Sequence, residues 1–248
     1  MSGVNVAYRI PAVRSREEHA ENLRAKLGEP ESSIYWDEER KGSVWNKWRI
    51  LNSHKDYPDV THFCLLDDDA DVVNGFKPLA ETAISNFPDA FVSFCHCNAN
   101  PVRMAEKPLG SPYLKLANYD FRGISLVFPV KYIDDFMAWW EKWLSHYPKR
   151  IYKRDDTSIK MYACVKRIPC ILTVPNLVRA LEIPSAIHPQ WSVRNSDLWT
   201  GYDVEPTQFD VDWYGVRENK KLFDFHLKKD EPVVQYVTRE YEKQLALL

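Results

Sequence analysis

Short apolar runs and helix-period segments alternate through the first hundred residues. Val4 to Ile10 reads as a strand, and Ser15 to Leu27 as a charged helix with Ser15 and Glu18 at capping-box spacing. Gly28 and Pro30 stop that helix. Ser33 to Trp36 is a second short strand, with Asp37 at its end. Val44 to Ser53 puts Val44, Trp48 and Leu51 on one helical face. Thr61 to Leu66, Phe76 to Asn86 and Ala90 to Cys95 continue as strand, helix and strand. This rhythm predicts an α/β fold, a largely parallel sheet with helices on both faces. Ligands of such sheets bind off the carboxyl ends of the strands. Asp37, an aspartate cluster after Leu66 and His96 all fall there.

The second half is less regular. Asn98 to Asp120 carries three prolines and reads as a long loop, with Arg103, Lys107 and Lys115 within it. Ile124 to Phe128 is a strand and Val130 to His146 an aromatic-rich helix, whose Trp139 and Trp143 share a face and are read as core. Asp155 or Asp156 opens a further helix, and Cys170 to Val174 is a strand running into Pro175-Asn-Leu-Val178. Beyond Pro189 the pattern weakens until Val233 to Leu248, which looks like a terminal helix.

Composition narrows the class. At 248 residues, 45% hydrophobic and with 8 glycines, the chain is globular and holds one α/β domain with an appendage or two small domains. A net charge of −2 argues against indiscriminate nucleic-acid binding, though a local basic groove remains open at Arg40-Lys41, Lys47 to Arg49, Lys149 to Arg154 or Lys220-Lys221. The residues from Met1 to Pro11 lack a signal peptide's basic start and apolar core, and no run of about 18 apolar residues suggests a membrane span. Five cysteines, mostly in apolar runs, fit buried reduced thiols and a cytoplasmic location.

The candidate chemistry lies in Thr61-His-Phe-Cys-Leu-Leu-Asp-Asp-Asp-Ala-Asp-Val72, where an apolar strand meets Asp67, Asp68, Asp69 and Asp71. Clustered carboxylates at a strand end repel unless a cation sits among them, and a hard divalent ion is a usual answer. An EF-hand is excluded, because Val72 stands where glycine is needed and Pro78 where glutamate is needed. A solvated acidic turn is the plain alternative. Asp155-Asp156 on its own is more often a helix N-cap pair than a catalytic site. Cys95-His96-Cys97 lacks a second ligand pair at zinc spacing and is read as a strand end.

Taken in order, the α/β half, the Asp-x-Asp after the third strand, the Asp-Asp opening a later helix and the strand ending in Pro-Asn-Leu-Val resemble the GT-A-fold glycosyltransferases of the family-two-like group. The small bacteriophage-encoded members are most similar. The resemblance covers roughly residues 4 to 188. It implies a GT-A-type, Rossmann-like domain over residues 1–188, with a nucleotide-sugar half (1–97), an acceptor half (98–188) and a C-terminal extension (189–248). It implies donor contacts from Pro11, Asp37, Asp67 and Asp68, a divalent metal (Mn²⁺ or Mg²⁺) on Asp69, and a base at Asp156, with Asp155 the rival for that role. Relatives carry a histidine shortly after Pro-Asn-Leu-Val. Here Arg179 follows, which would offset diphosphate charge, and His188 is the nearest histidine for the metal. The implied activity is inverting transfer from a UDP-sugar to a hydroxyl, with a hydroxymethylated pyrimidine in phage DNA as acceptor and the host cytoplasm as location. A glycosyltransferase acting on protein or surface glycan is the alternative. A nucleotidyltransferase is disfavoured because Ala12 to Arg16 has no glycine, and a non-catalytic binding module is the remaining class.

Overall fold

The computed structural model describes residues 3–95, 113–116, 123–146, 155–166, 168–174, 176–183, 199, 202 and 210–211. In chain order the strands are β1 (Val6–Ala12), β2 (Ile34–Trp36), β3 (His62–Leu66), β4 (Ala70–Val72), β5 (Phe91–Ser93), β6 (Tyr113–Leu116), β7 (Ser125–Pro129), β8 (Cys170–Val174), β9 (Val178–Ala180) and β10 (Asp210–Val211). The helices are α1 (Glu17–Leu27), α2 (Ser43–Asn52), α3 (Phe76–Asn86), α4 (Ile133–His146) and α5 (Asp155–Lys166).

Eight strands form one sheet in the order β10-β6-β8-β5-β7-β3-β1-β2. β2, β1, β3, β5 and β8 run one way, and β7, β6 and β10 run the other. The expected α/β architecture is present, mixed but mostly parallel. Alternate residues of each strand face opposite sides, and the core is split accordingly. Tyr8, Ile10, Cys64, Leu66, Val92 and Val127 pack against Ala20 and Leu23 of α1 and Leu79 and Ala83 of α3. On the other side, Ala7, Phe63, Leu65, Phe91 and Phe128 pack against Trp48 of α2, Phe136 and Trp139 of α4 and Tyr162 of α5. Helices therefore cover both faces, and Trp139 belongs to the core. The side chain of Trp143 lies outside the described residues.

Several local expectations shift. α1 does not use the Ser15–Glu18 box. A 3-10 turn, Arg14–Arg16, takes up Ser15, and Arg16 stands at the N-cap without a side-chain cap. At the other end Gly28, at φ 64, closes the helix in the left-handed conformation that glycine adopts without Cβ strain. The segment read as a long loop contains β6, which pairs antiparallel with β8. The Pro-Asn-Leu-Val motif leads into β9, which pairs antiparallel with β4 so that Asp71 stands opposite Arg179. Past residue 188, β10 extends the same sheet beside β6, and Trp199 packs on the α1/α3 side of the core. No helix among the described residues is long and apolar enough to cross a membrane.

Candidate active site

The parallel strands deliver their carboxyl ends to one edge. Ala12, Trp36 and Leu66 end β1, β2 and β3 there, and β7 runs the other way, so its first residue, Ser125, pairs with Leu66 at that edge. The aspartate cluster follows Leu66 directly. Its turn is held by Asp67 N–H donating to Ile124 O (2.9 Å) and Ala70 N–H donating to Asp67 O (2.8 Å).

Lys47 is the centre of the site. Its side chain is fully buried on the inner face of α2. The ammonium donates to Asp67 Oδ2 (3.0 Å), to the carbonyl of Gly123 (2.7 Å) and to Asp155 Oδ2. Asp67 Oδ1 is also within ion-pair range, at 2.8 Å, but accepts no hydrogen bond. Burial opposes the charged ammonium, yet Asp155 and then Asp67 outweigh it and hold Lys47 protonated. One cation cannot neutralise two carboxylates. Burial pushes Asp67 up to about 8, Asp155 and Asp69 add to the rise, and Lys47 opposes it.

Asp68 and Asp69 meet a different cation. Arg16 Nη1 donates to Asp68 Oδ1 (2.8 Å) and Asp69 Oδ2 (2.9 Å), and Val13 N–H donates to Asp68 Oδ2 (2.9 Å). Burial raises the Asp68 carboxyl against the pull of Val13 and Arg16. Asp71 is no surface residue. It gathers Lys26, Arg179 (Nη2 at 3.0 Å, Nε at 3.2 Å) and the Tyr202 hydroxyl (2.6 Å). Burial alone would raise its pKa, but Lys26, Tyr202 and Arg179 hold it below the usual carboxylate range. Arg179 also lies under Trp199 and Tyr202, with its guanidinium carbon 5.2 and 5.1 Å from their ring centroids.

The sequence-predicted residues thus fall into groups. Asp67 and Asp155 share one cation, Asp68 and Asp69 share another, and Arg179 pairs with Asp71. Asp37 is buried, with both oxygens accepting backbone N–H groups, from Lys41 (2.9 Å) and Gly42 (2.6 Å). Pro11 is buried in β1 opposite Tyr35. The side chain of Asp156, and His96, Cys97 and His188, lie outside the described residues, as do Arg103, Lys107, Lys149 to Arg154 and Lys220-Lys221. Of the basic stretches, Lys47 is an interior cation rather than a surface phosphate contact, and Arg49 is bound to Trp36 O (3.0 Å) and Asn46 Oδ1 (2.7 Å). Lys47, Gly123 and Arg16 were not singled out individually from the sequence. Lys47 carried a signal all the same: it lies three residues after Val44, on the apolar face of α2.

A divalent cation at Asp69 is poorly matched by this arrangement. Asp69 shares an oxygen with Arg16, Asp67 faces Lys47, and among the described residues no three His, Cys, Asp or Glu side chains cluster for a metal. These residues, as paired here, do not fit a resident metal ion.

No protein-family model and no curated protein sequence matches the chain. Among solved structures it is similar to the crystal structure of a glycosyltransferase involved in the glycosylation of the major capsid of PBCV-1, at 16% identity over 67% of this chain and 81% of that chain, with a TM-score of 0.35. A likeness of that size assigns no role to any residue. Fold and site by themselves define an α/β protein whose strand-end carboxylates are held by internal cations.

Proposed function

We propose that the protein is a glycosyltransferase that moves a sugar from a nucleotide-diphosphate donor, a UDP-sugar, to a hydroxyl acceptor with inversion. The observation that carries this reading is the meeting of Asp67 and Asp155 on Lys47 at the carboxyl edge of the sheet. Two acidic motifs far apart in sequence thereby flank one point where ligands of such sheets bind. The order of motifs along the chain supports the same reading.

In the proposed reaction the acceptor oxygen forms a bond to the anomeric carbon. The bond from that carbon to the donor's phosphate oxygen breaks, and the nucleoside diphosphate leaves with the electron pair. The acceptor proton passes to a carboxylate within hydrogen-bond reach. Asp155 accepts a proton of the Lys47 ammonium, so that carboxylate oxygen already has a partner. This favours Asp156, its neighbour on the first turn of α5, for the proton. Asp67 and Asp37 are the proposed ribose and base contacts. Arg179, about a third exposed, is the proposed partner of the diphosphate, where its charge would offset that of the leaving group.

The proposed acceptor is the hydroxymethyl group of a modified pyrimidine in DNA, supported by the resemblance to phage enzymes. Incubating the protein with a panel of UDP-sugars and either unmodified or hydroxymethylated DNA, followed by digestion to nucleosides and mass spectrometry, tests both halves. A sugar mass on the modified base alone is the expected result. Donor hydrolysis without a DNA product moves the acceptor to protein or surface glycan. The absence of both transfer and hydrolysis with every nucleotide sugar in the panel overturns the enzyme reading.

A further inference from the structure

Lys47 is costly as a structural residue. Removing an ammonium from water costs several kcal/mol, and a well-packed apolar side chain of similar volume often serves stability as well or better. Trp48, Ile50 and Leu51 of α2 are buried apolar core, and the one other buried polar residue of the helix, Asn46, is uncharged. The ammonium has three protons, and three acceptors receive them: Asp67, Asp155 and the Gly123 carbonyl. Every donor is spent on the protein, so Lys47 acts on a ligand only through the groups it holds. Those groups come from three separate places, namely the end of β3, the residues before β7 and the start of α5.

We infer that Lys47 is the positioning residue of this site: a buried ammonium that fixes the spacing between Asp67 on the donor side and the first turn of α5 on the acceptor side. The inference rests on the glycosyltransferase reading above. Gly123 is part of the device. A Cβ there would stand 2.6 Å from Asp155 Oδ2, so the absent side chain is what lets the carboxylate, the carbonyl and the ammonium converge. With the spacing fixed, an acceptor hydroxyl placed by α5 meets the anomeric carbon of a donor placed by β3. Without it the two halves drift relative to one another. Misplacement of about 1 Å costs on the order of 100-fold in rate.

The test compares two reactions of the same enzyme. Sugar transfer needs a positioned acceptor, whereas donor hydrolysis uses water and is less sensitive to acceptor placement. Their ratio is independent of how much protein is correctly folded. Lys47→Met is expected to lower kcat for transfer by about 100-fold and to lower the transfer-to-hydrolysis ratio by about tenfold, with a smaller change in donor KM. Should Lys47→Met fail to fold, the double variant Lys47→Met/Asp155→Asn leaves Asp67 as the one carboxyl of the former pair, and the same fall in ratio is expected of it. A folded variant with the wild-type ratio and kcat overturns the role of Lys47 and leaves the glycosyltransferase reading standing. Wild-type protein that neither transfers nor hydrolyses any nucleotide sugar removes that reading and this inference with it.

Discussion

Gly123 and Asp155 approach so closely that a Cβ on the glycine would lie 2.6 Å from Asp155 Oδ2 and 2.9 Å from its Cγ. The backbone of Gly123 is not in the left-handed region, so space alone sets the requirement. Gly123→Ala must push Asp155 away from Lys47 or shift the entry to β7. The expected cost is about 1 to 3 kcal/mol of stability, as for other overpacked sites, together with a reduced transfer rate. Urea denaturation and steady-state kinetics measure the two. An alanine variant with wild-type stability and activity would show that the contact yields freely.

Arg16 gives a second prediction, about cations. It already bridges Asp68 and Asp69, with only 11% of its side chain exposed. Mn²⁺ added to protein without donor is therefore expected to bind weakly, because it must displace a buried guanidinium. Arg16→Ala releases Asp69 Oδ2 and Asp68 Oδ1 from the guanidinium, while Val13 N–H keeps Asp68 Oδ2, and should tighten Mn²⁺ binding by about tenfold, or ~1.4 kcal/mol. Calorimetric titration of both proteins decides it. Tight binding by the wild type, unchanged in the variant, would show that the metal ligands lie elsewhere.

What the sequence revealed, and what it hid, follows from the range of the interactions. α3 and β8 occupy the residues predicted for them, because helical period and a bounded apolar run are local signals. The carboxyl-edge location of the aspartates was legible for the same reason. β4 and β9 were not. Three residues each have no period to detect, and their pairing depends on Asp71 meeting Arg179 across the fold. Lys47 looked like part of a surface basic run, since Arg49 follows two residues later. Its place on the Val44–Trp48–Leu51 face of α2 pointed inward, but the two carboxylates that make a buried ammonium tolerable come from distant parts of the chain. Asp37 was readable as a strand-end carboxylate, but not its binding of the Lys41 and Gly42 amides, which depends on the local turn.

Asp71 holds Tyr202. Its side chain is 6% exposed, and the Tyr202 hydroxyl reaches it from a distant part of the chain. Tyr202→Phe removes two hydrogen bonds, one donated to Asp71 and one accepted from Arg179, and at this part-exposed site should cost about 1 kcal/mol. Asp71→Asn leaves Lys26 and Arg179 without their shared carboxylate. Breaking a fully buried pair costs about 3 to 5 kcal/mol. Here both cations keep some solvent, so about 2 kcal/mol is expected after screening. Because the folded pKa is depressed, this stabilisation is present above the ordinary carboxylate value and is lost as pH falls through the folded one. Thermal unfolding of both variants at neutral pH checks the order of the effects. A Tyr202→Phe loss larger than that of Asp71→Asn would contradict this view of the cluster.

His62 predicts a separate pH dependence, away from the acidic cluster. It is 3% exposed in β3, with Nδ1 2.8 Å from Thr61 Oγ1 and Nε2 2.8 Å from the carbonyl of Pro88. A carbonyl only accepts, so Nε2 carries the proton of the neutral ring. Burial lowers the pKa of this ring, and the Pro88 carbonyl and Asp89 only partly oppose that. The unfolded chain takes up a proton near the ordinary value of about 6.5, while the folded chain does so only at lower pH. Between those two values the unfolded state binds more protons, so folding stability is full above the window and falls as pH drops through it. The slope contributed is at most about 1.4 kcal/mol per pH unit. Chemical denaturation between pH 7.5 and 5.5 should show this loss in the wild type and a flatter profile in His62→Gln. Equal slopes in the two proteins would mean that His62 is protonated in the folded state as readily as in the unfolded one.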